Sequence, residues 1–204
     1  VTDRGQERRQ AVLYIVTGGS GSGKSEYAEN LAVRLAKGQA LYYVAAMQPC
    51  GEEGQERIRR HRALRAGKGF ETIECYTNIG QIPETIGAAS CKKATVLVEC
   101  MSNLLANEMF GNGQQSEEAG LQNRLLSEIS GLAGQCKHLI LVTNEVFADG
   151  ICYAPETEQY KKRLAQINRS LVELSDEAVE IVYTIPVRIK GRKAEESIYE
   201  VGYQ

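Results

Sequence analysis

Leu13-Tyr-Ile-Val-Thr-Gly-Gly-Ser-Gly-Ser-Gly-Lys-Ser25 is an apolar run that empties into a glycine-rich turn. Gly18, Gly23, Lys24 and Ser25 fill the G-x-x-x-x-G-K-[ST] spacing of a phosphate-binding loop, with Gly19, Ser20, Gly21 and Ser22 between them. Glycines permit a tight turn that aims several backbone N–H groups at one anion. The lysine of such a loop reaches the β- and γ-phosphates, and its final hydroxyl ligates Mg²⁺. Working outward, Ala11 to Val16 reads as a buried strand and Lys24 to Ala36 as a helix whose N-terminus faces the phosphates. The stretch predicts a strand, a loop and a helix that together hold a nucleoside triphosphate.

The rest of the 204 residues, 43% of them hydrophobic, suffices for one well-buried domain over 11–204, and no Pro/Gly/Ser-rich linker divides it. Residues 1–10 are polar and charged, without an apolar signal region, and are expected to form a flexible extension. A net charge of −2 gives no basis for bulk attraction to nucleic acid, and the apolar runs are too short to span a bilayer. The six cysteines form no C-x-x-C pair and no zinc-type spacing with histidine, so reduced thiols in a cytoplasmic protein are expected.

Strand and helix signals then alternate. Strands are predicted over 40–46, 70–75, 95–99, 139–143 and 179–185, and helices over 55–66, 103–110, 121–133 and 158–174. The segment 79–89 reads as helical and turn-like, 111–118 as a polar loop, and 186–190 as an antiparallel edge strand. With the loop at its start, this is an α/β P-loop NTPase fold: a three-layer sandwich around a mainly parallel sheet.

In such sheets ligands collect beyond the carboxyl ends of the strands. Glu99 closes Thr-Val-Leu-Val-Glu, where a carboxylate can orient Mg²⁺ beside Ser25. Ala46, Met47 and Gln48 end the second strand and can line a nucleotide pocket through their backbone. Asn144 and Glu145 follow Leu-Ile-Leu-Val-Thr, either as cleft residues or as a helix cap with its first-turn acid. The predicted helix Glu56-Arg-Ile-Arg-Arg-His-Arg-Ala-Leu-Arg65 carries five arginines around His61. At helical spacing Arg57, His61 and Arg65 share one face, with Ile58 and Leu64 free to pack inward. Nearby positive charge disfavours imidazolium, leaving His61 a neutral nucleophile, unless the segment is simply a solvated basic helix. His138 sits at the entry to a strand, the wrong end for an active-site role.

Four blocks give the chain a family likeness: Val16 to Ser25, Arg57-Ile-Arg-Arg-His-Arg62, Leu97-Val-Glu-Cys100 with Asn103-Leu-Leu105, and Leu141-Val-Thr-Asn-Glu-Val146. With the blocks in this order the chain resembles the bifunctional adenosylcobinamide kinase/adenosylcobinamide-phosphate guanylyltransferases of cobalamin biosynthesis. The resemblance implies phosphorylation of the aminopropanol hydroxyl of adenosylcobinamide, then transfer of GMP from GTP through a guanylyl-histidine to the new phosphate, giving adenosylcobinamide-GDP. It implies His61 as the nucleophile, assisted by Lys24, and nucleotide contacts from Gly18 to Ser25, from Ala46 to Gln48, from His61, Arg62, Ala63 and Leu64, and from Glu74 and Glu99. It further implies Mg²⁺ at Ser25 and Glu99, GTP and ATP as substrates, a corrinoid acceptor and a homotrimer.

The chain departs from the family pattern beyond Asn144-Glu-Val146, where Phe147 to Pro155 replaces a shorter Gly-rich turn. In the next helix Lys161-Lys162 stand where the family has Arg-Asp and Ala165 where it has Gly, while Asn168 matches. These departures bear on the acceptor side rather than the nucleotide side. From the residues alone two other functions stay open: a P-loop kinase of another small metabolite, for which His61 is dispensable, and a nucleotide-dependent switch.

Overall fold

The computed structural model describes residues 12–49, 51–111, 120–147 and 150–191. The N-terminal extension, the tail beyond Gly191 and most of the polar loop 111–118 lie outside these residues, as do the side chains of Arg57 and Leu64. The order is β1 (Val12–Thr17), α1 (Lys24–Ala36), β2 (Leu41–Ala45), α2 (Gly51–Arg65) and β3 (Glu71–Glu74). A 3-10 turn at Ile79–Gln81 leads into two short helices, α3 (Ile82–Ile86) and α4 (Ala88–Cys91). Then come β4 (Thr95–Glu99), α5 (Met101–Phe110), α6 (Leu121–Gln135), β5 (His138–Val142), α7 (Pro155–Leu174), β6 (Glu177–Val182) and β7 (Ile185–Lys190). Helix α7 starts three residues before its apolar periodicity does, because a proline at the first helical position gives up an N–H that would have no partner there.

One seven-stranded sheet runs β3-β2-β4-β5-β1-β6-β7, parallel throughout except for the final pair. Strand alternation splits the core in two. Leu13, Ile15, Val96, Val98 and Leu139 point to the face covered by α5, α6 and α7, with Leu104, Leu125 and Leu164 packed on them. Tyr14, Val16, Leu97 and Ile140 point to the other face, where Ala28, Leu31 and Ala32 of α1 meet them. The small residues of α1 let it lie close on β4 and β5, so its first turn reaches across the sheet. The three-layer sandwich expected from the sequence is thereby present.

The pairing register aligns the strand ends. Ala45 lies beside Glu74 on one side and Glu99 on the other, Glu99 beside Val142, and Val142 beside Val16. Residues following these positions therefore project along one edge. His138 begins β5 at the opposite edge, half-buried against the Tyr14 ring at 6.2 Å, as its position in the sequence implies.

The sequence predicts a strand from 179 to 185, but the structure breaks it. β6 ends at Val182, Tyr183 and Thr184 form a two-residue turn with φ of 49° and 68°, and Ile185 starts β7. Positive φ at both central positions is the hairpin geometry that normally selects Asn-Gly, which explains why Tyr-Thr gave no turn signal. A β-branched residue there is strained. The turn is fastened to the phosphate-binding loop, Thr184 N–H donating to the Ser22 carbonyl at 2.9 Å.

Two outcomes follow from these features. Thr184→Gly should raise the unfolding free energy by about 1 kcal/mol, the strain relieved less the added chain entropy, as read from the urea midpoint at constant slope. The His138 imidazole has its pKa lowered, by burial first and by Lys137 and Lys37 after it. As pH falls through 6.5 the unfolded chain takes up the proton first, so stability present above that value is lost below it. His138→Phe, which keeps a ring beside Tyr14, should flatten the acid-side decline of stability; equal declines in both proteins would refute the assignment.

Candidate active site

The loop after β1 is shaped by its glycines. A Cβ on Gly18, whose φ is 153°, would sit 2.6 Å from the Ile181 carbonyl oxygen of neighbouring β6. Gly23 caps α1 with φ 90°. The chain thus passes directly from the sheet into the positive end of a helix of 13 residues. Lys24 is buried and its Nζ donates to the Gly19 carbonyl at 3.0 Å, folding the side chain back over the loop. Burial lowers its pKa, while Cys100 and Glu99 act in the opposite sense.

Ser25 Oγ donates to Glu99 Oε1, joining the first turn of α1 to the end of β4. Burial pushes the Glu99 carboxyl up; the Ser25 bond, Lys24, Arg65 and Tyr43 counter it. Glu99 Oε2 and Ser22 Oγ are buried without a hydrogen-bond partner among the described residues. Buried oxygens in that condition are costly, and these two lie where a bound phosphate and its cation would stand. Among the described residues no three His, Cys, Asp or Glu side chains group as metal ligands. One hydroxyl and one carboxylate, with phosphate and water, is the donor set that suits Mg²⁺.

A cleft of about 810 Å³ opens above this point. One wall is the loop from Ser20 to Ser25 with Glu99; the facing wall is α2, contributing His61 and Arg62. Met47 and Glu74 line it from the ends of β2 and β3, and Asn144 and Glu145 from the end of β5. Arg62 donates to Glu74 Oε1 at 2.9 Å and the Tyr76 hydroxyl to Glu74 Oε2 at 2.8 Å, so both carboxylate oxygens are engaged. The exposed Arg59 and Arg60 add positive charge to the α2 wall. Ile58, expected to pack inward, lines the cleft instead.

Other sequence candidates fall differently. Ala46 is fully buried with both backbone groups committed, its N–H to the Glu99 carbonyl at 2.9 Å and its carbonyl to Asn107 Nδ2 at 2.8 Å. Gln48 and Ala63 are exposed and stand outside the cleft wall. Asn144 caps no helix, since α7 begins only at Pro155. Its Nδ2 donates to Ser102 Oγ at 2.6 Å, and its carbonyl accepts from Asn168 Nδ2 at 3.4 Å. Glu145 Oε1 accepts from the Phe147 N–H at 2.8 Å, and its own N–H donates to the Gly18 carbonyl at 3.1 Å. In the longer loop Tyr153 lies under the Lys161 ammonium, 4.6 Å from the ring centroid. Tyr76 and Ser102 gave no signal in the sequence, because their roles come from partners distant in the chain.

Known proteins resemble this chain in sequence and in fold. A family model described as cobinamide kinase / cobinamide phosphate guanyltransferase matches residues 14–189. The bifunctional adenosylcobalamin biosynthesis protein CobU of Salmonella typhimurium is 28% identical over 191 residues, covering 88% of this chain and all of the relative. Its Escherichia coli counterpart is 27% identical over the same length and coverage. Among solved structures, the flagellar accessory protein FlaH of Methanocaldococcus jannaschii superposes with a TM-score of 0.50 at 16% identity, over 89% of this chain and 79% of that one. The ATP synthase subunit NeqB of Nanoarcheaum equitans gives 0.52 at 13% identity, over 84% of this chain and 45% of that one. These two likenesses concern the fold. The match over 14–189, with a phosphate-binding loop and a histidine-bearing helix across one cleft, means that the chain belongs to the cobinamide kinase / cobinamide phosphate guanyltransferase family of transferases.

Proposed function

We propose that this chain phosphorylates adenosylcobinamide and then guanylylates the product through a covalent GMP on His61. The observation that carries the reading is that His61 and the phosphate-binding loop face each other across one cleft. In the first step the loop amides and Lys24 hold the β- and γ-phosphates of ATP or GTP. The corrinoid hydroxyl oxygen bonds to the γ-phosphorus, the bond from that phosphorus to the bridging oxygen breaks, and the hydroxyl proton leaves to a carboxylate of the cleft. Such transfer needs positioning and neutralisation of charge more than covalent chemistry.

In the second step an imidazole nitrogen of His61 bonds to the α-phosphorus of GTP while the bond to the pyrophosphate oxygen breaks. The phosphate of the corrinoid then attacks the same phosphorus, releasing His61 and giving adenosylcobinamide-GDP. Lys24, on leaving the Gly19 carbonyl, and the loop amides would stabilise the charge of the departing pyrophosphate. Ser25 and Glu99 would hold Mg²⁺, which supplies neutralisation of phosphate charge when bound. The nucleotide contacts proposed with it run from Gly18 to Ser25, with Met47, His61, Arg62, Glu74 and Glu99. We further propose a homotrimer acting in the cytoplasm, on the family likeness; among the described residues no helix is long and apolar enough to cross a membrane.

Incubation with α-labelled GTP and Mg²⁺, followed by denaturation, should leave an acid-labile, alkali-stable label on the protein. His61→Ala should abolish it and His138→Ala should spare it; an unlabelled wild type leaves a monofunctional kinase. Glu99→Gln should lower the rate of phosphate transfer to the corrinoid by about a hundredfold, by analogy with loss of one charge-organising group. An initial rate within a few-fold of wild type would exclude Glu99 from the reaction.

A further inference from the structure

Arg65 ends α2 and is only 7% exposed, an unusual condition for an arginine in a helix whose other described arginines are exposed. Its guanidinium lies over the Tyr43 ring, 3.5 Å from the centroid. Tyr43 belongs to β2, on the face of the sheet that α1 covers, and its ring meets Phe70 at 5.9 Å in a T-shaped contact. Between Arg65 and Phe70 in the chain, Lys68 Nζ reaches Glu29 Oε2 at 2.7 Å. Glu29 is 1% exposed and sits in α1, the helix that the phosphate-binding loop opens.

The turn after α2 is therefore pinned twice to the sheet and once to the phosphate-binding helix. A cation stacked on an aromatic face away from water, and a buried carboxylate paired with an ammonium, are strong and directional contacts. Arg65 stands one helical turn after His61, so fixing its guanidinium fixes which way the His61 turn faces. The exposed Arg62–Glu74 pair cannot do this alone, since both partners are more than half exposed and such pairs hold weakly.

We propose that Arg65 and Lys68 are positioning residues for guanylyl transfer: they tie the helix that carries His61 to Tyr43 and to the phosphate-binding helix, and so set the approach of the imidazole to the α-phosphorus. The proposal rests on the guanylyl-histidine reading above. The kinase step uses the same loop but not His61, which makes it an internal control in the same preparation. Arginine is required at 65 because a lysine keeps the charge near Glu99 and loses the planar stack.

The test compares wild type, Arg65→Lys, Lys68→Met and Lys68→Arg as full chains. Covalent labelling by α-labelled GTP is followed in time, beside phosphate transfer from γ-labelled nucleotide to adenosylcobinamide. Arg65→Lys should slow labelling by about tenfold to a hundredfold, the scale of an ångström-sized misplacement, with phosphate transfer within about twofold of wild type. Lys68→Met should slow labelling in the same selective way, and Lys68→Arg, which can still reach Glu29, should restore it. Labelling of Arg65→Lys at the wild-type rate overturns the proposal. Equal loss of both activities overturns it too, because that describes general destabilisation. A wild type that takes no label overturns the guanylyl-histidine reading and this proposal with it, whereas a labelled wild type matched by its variants overturns this proposal alone.

Discussion

The bond from Ser25 to Glu99 is the constraint around which the molecule is arranged. It joins the first turn of α1 to the end of β4, although β5 separates β4 from the strand that precedes α1. The helix must cross the sheet to make it, and Ala28 and Ala32 allow the close approach that crossing requires. The same bond buries a carboxylate beside the buried Lys24, a placement that costs desolvation on both groups. Their mutual attraction offsets part of that cost. The remainder stays visible in Glu99 Oε2 and Ser22 Oγ, buried without partners among the described residues.

From that fixed wall the chemistry is decided by what stands opposite. A phosphate-binding loop presents the whole triphosphate chain and does not choose which phosphorus reacts. Choice comes from the nucleophile's direction of approach. Asn144 and Glu145 approach the cleft from the end of β5, and His61 approaches from α2. One cleft therefore sets a single phosphate-binding loop against side chains from two different walls. Arg59, Arg60 and Arg62 make the α2 wall positive, a charge that favours polyphosphate in the cleft.

What the sequence revealed was local. Leu13 to Ser25 could be read because strand, turn and helix start all lie within one stretch, and Glu99 because a carboxylate that closes an apolar strand stands at the sheet edge where ligands gather. Where long-range contacts decide, the pattern was mute. Arg65 resembles every other arginine of its helix until Tyr43 comes beneath it from a distant strand. Ala46 was a candidate ligand contact, yet its backbone is consumed by Glu99 and Asn107, one from an adjacent strand and one from α5. The Tyr183–Thr184 turn hid for a different reason: its residues are poor at positive φ, and attachment to Ser22 holds them there.

The same contrast separates the phosphate-binding loop from the wall at the end of β5. At Gly18 no side chain fits, since the Ile181 carbonyl occupies the space a Cβ would need. That position is thus fixed by the clearance of its own backbone. The other side is held by a network: Thr143 Oγ1 donates to Asn168 at 2.7 Å, Asn168 to the Asn144 carbonyl, Asn144 to Ser102 Oγ, and the Tyr160 hydroxyl to the Ser102 carbonyl at 3.0 Å. These bonds tie β5, α5 and α7 together through Asn168. Lys161, Lys162 and Ala165 lie on α7 outside those bonds, so they can change while the Asn144 side chain stays where it is. A wall anchored by a few long-range hydrogen bonds can vary its surface and keep its shape, whereas a loop built on backbone clearance cannot.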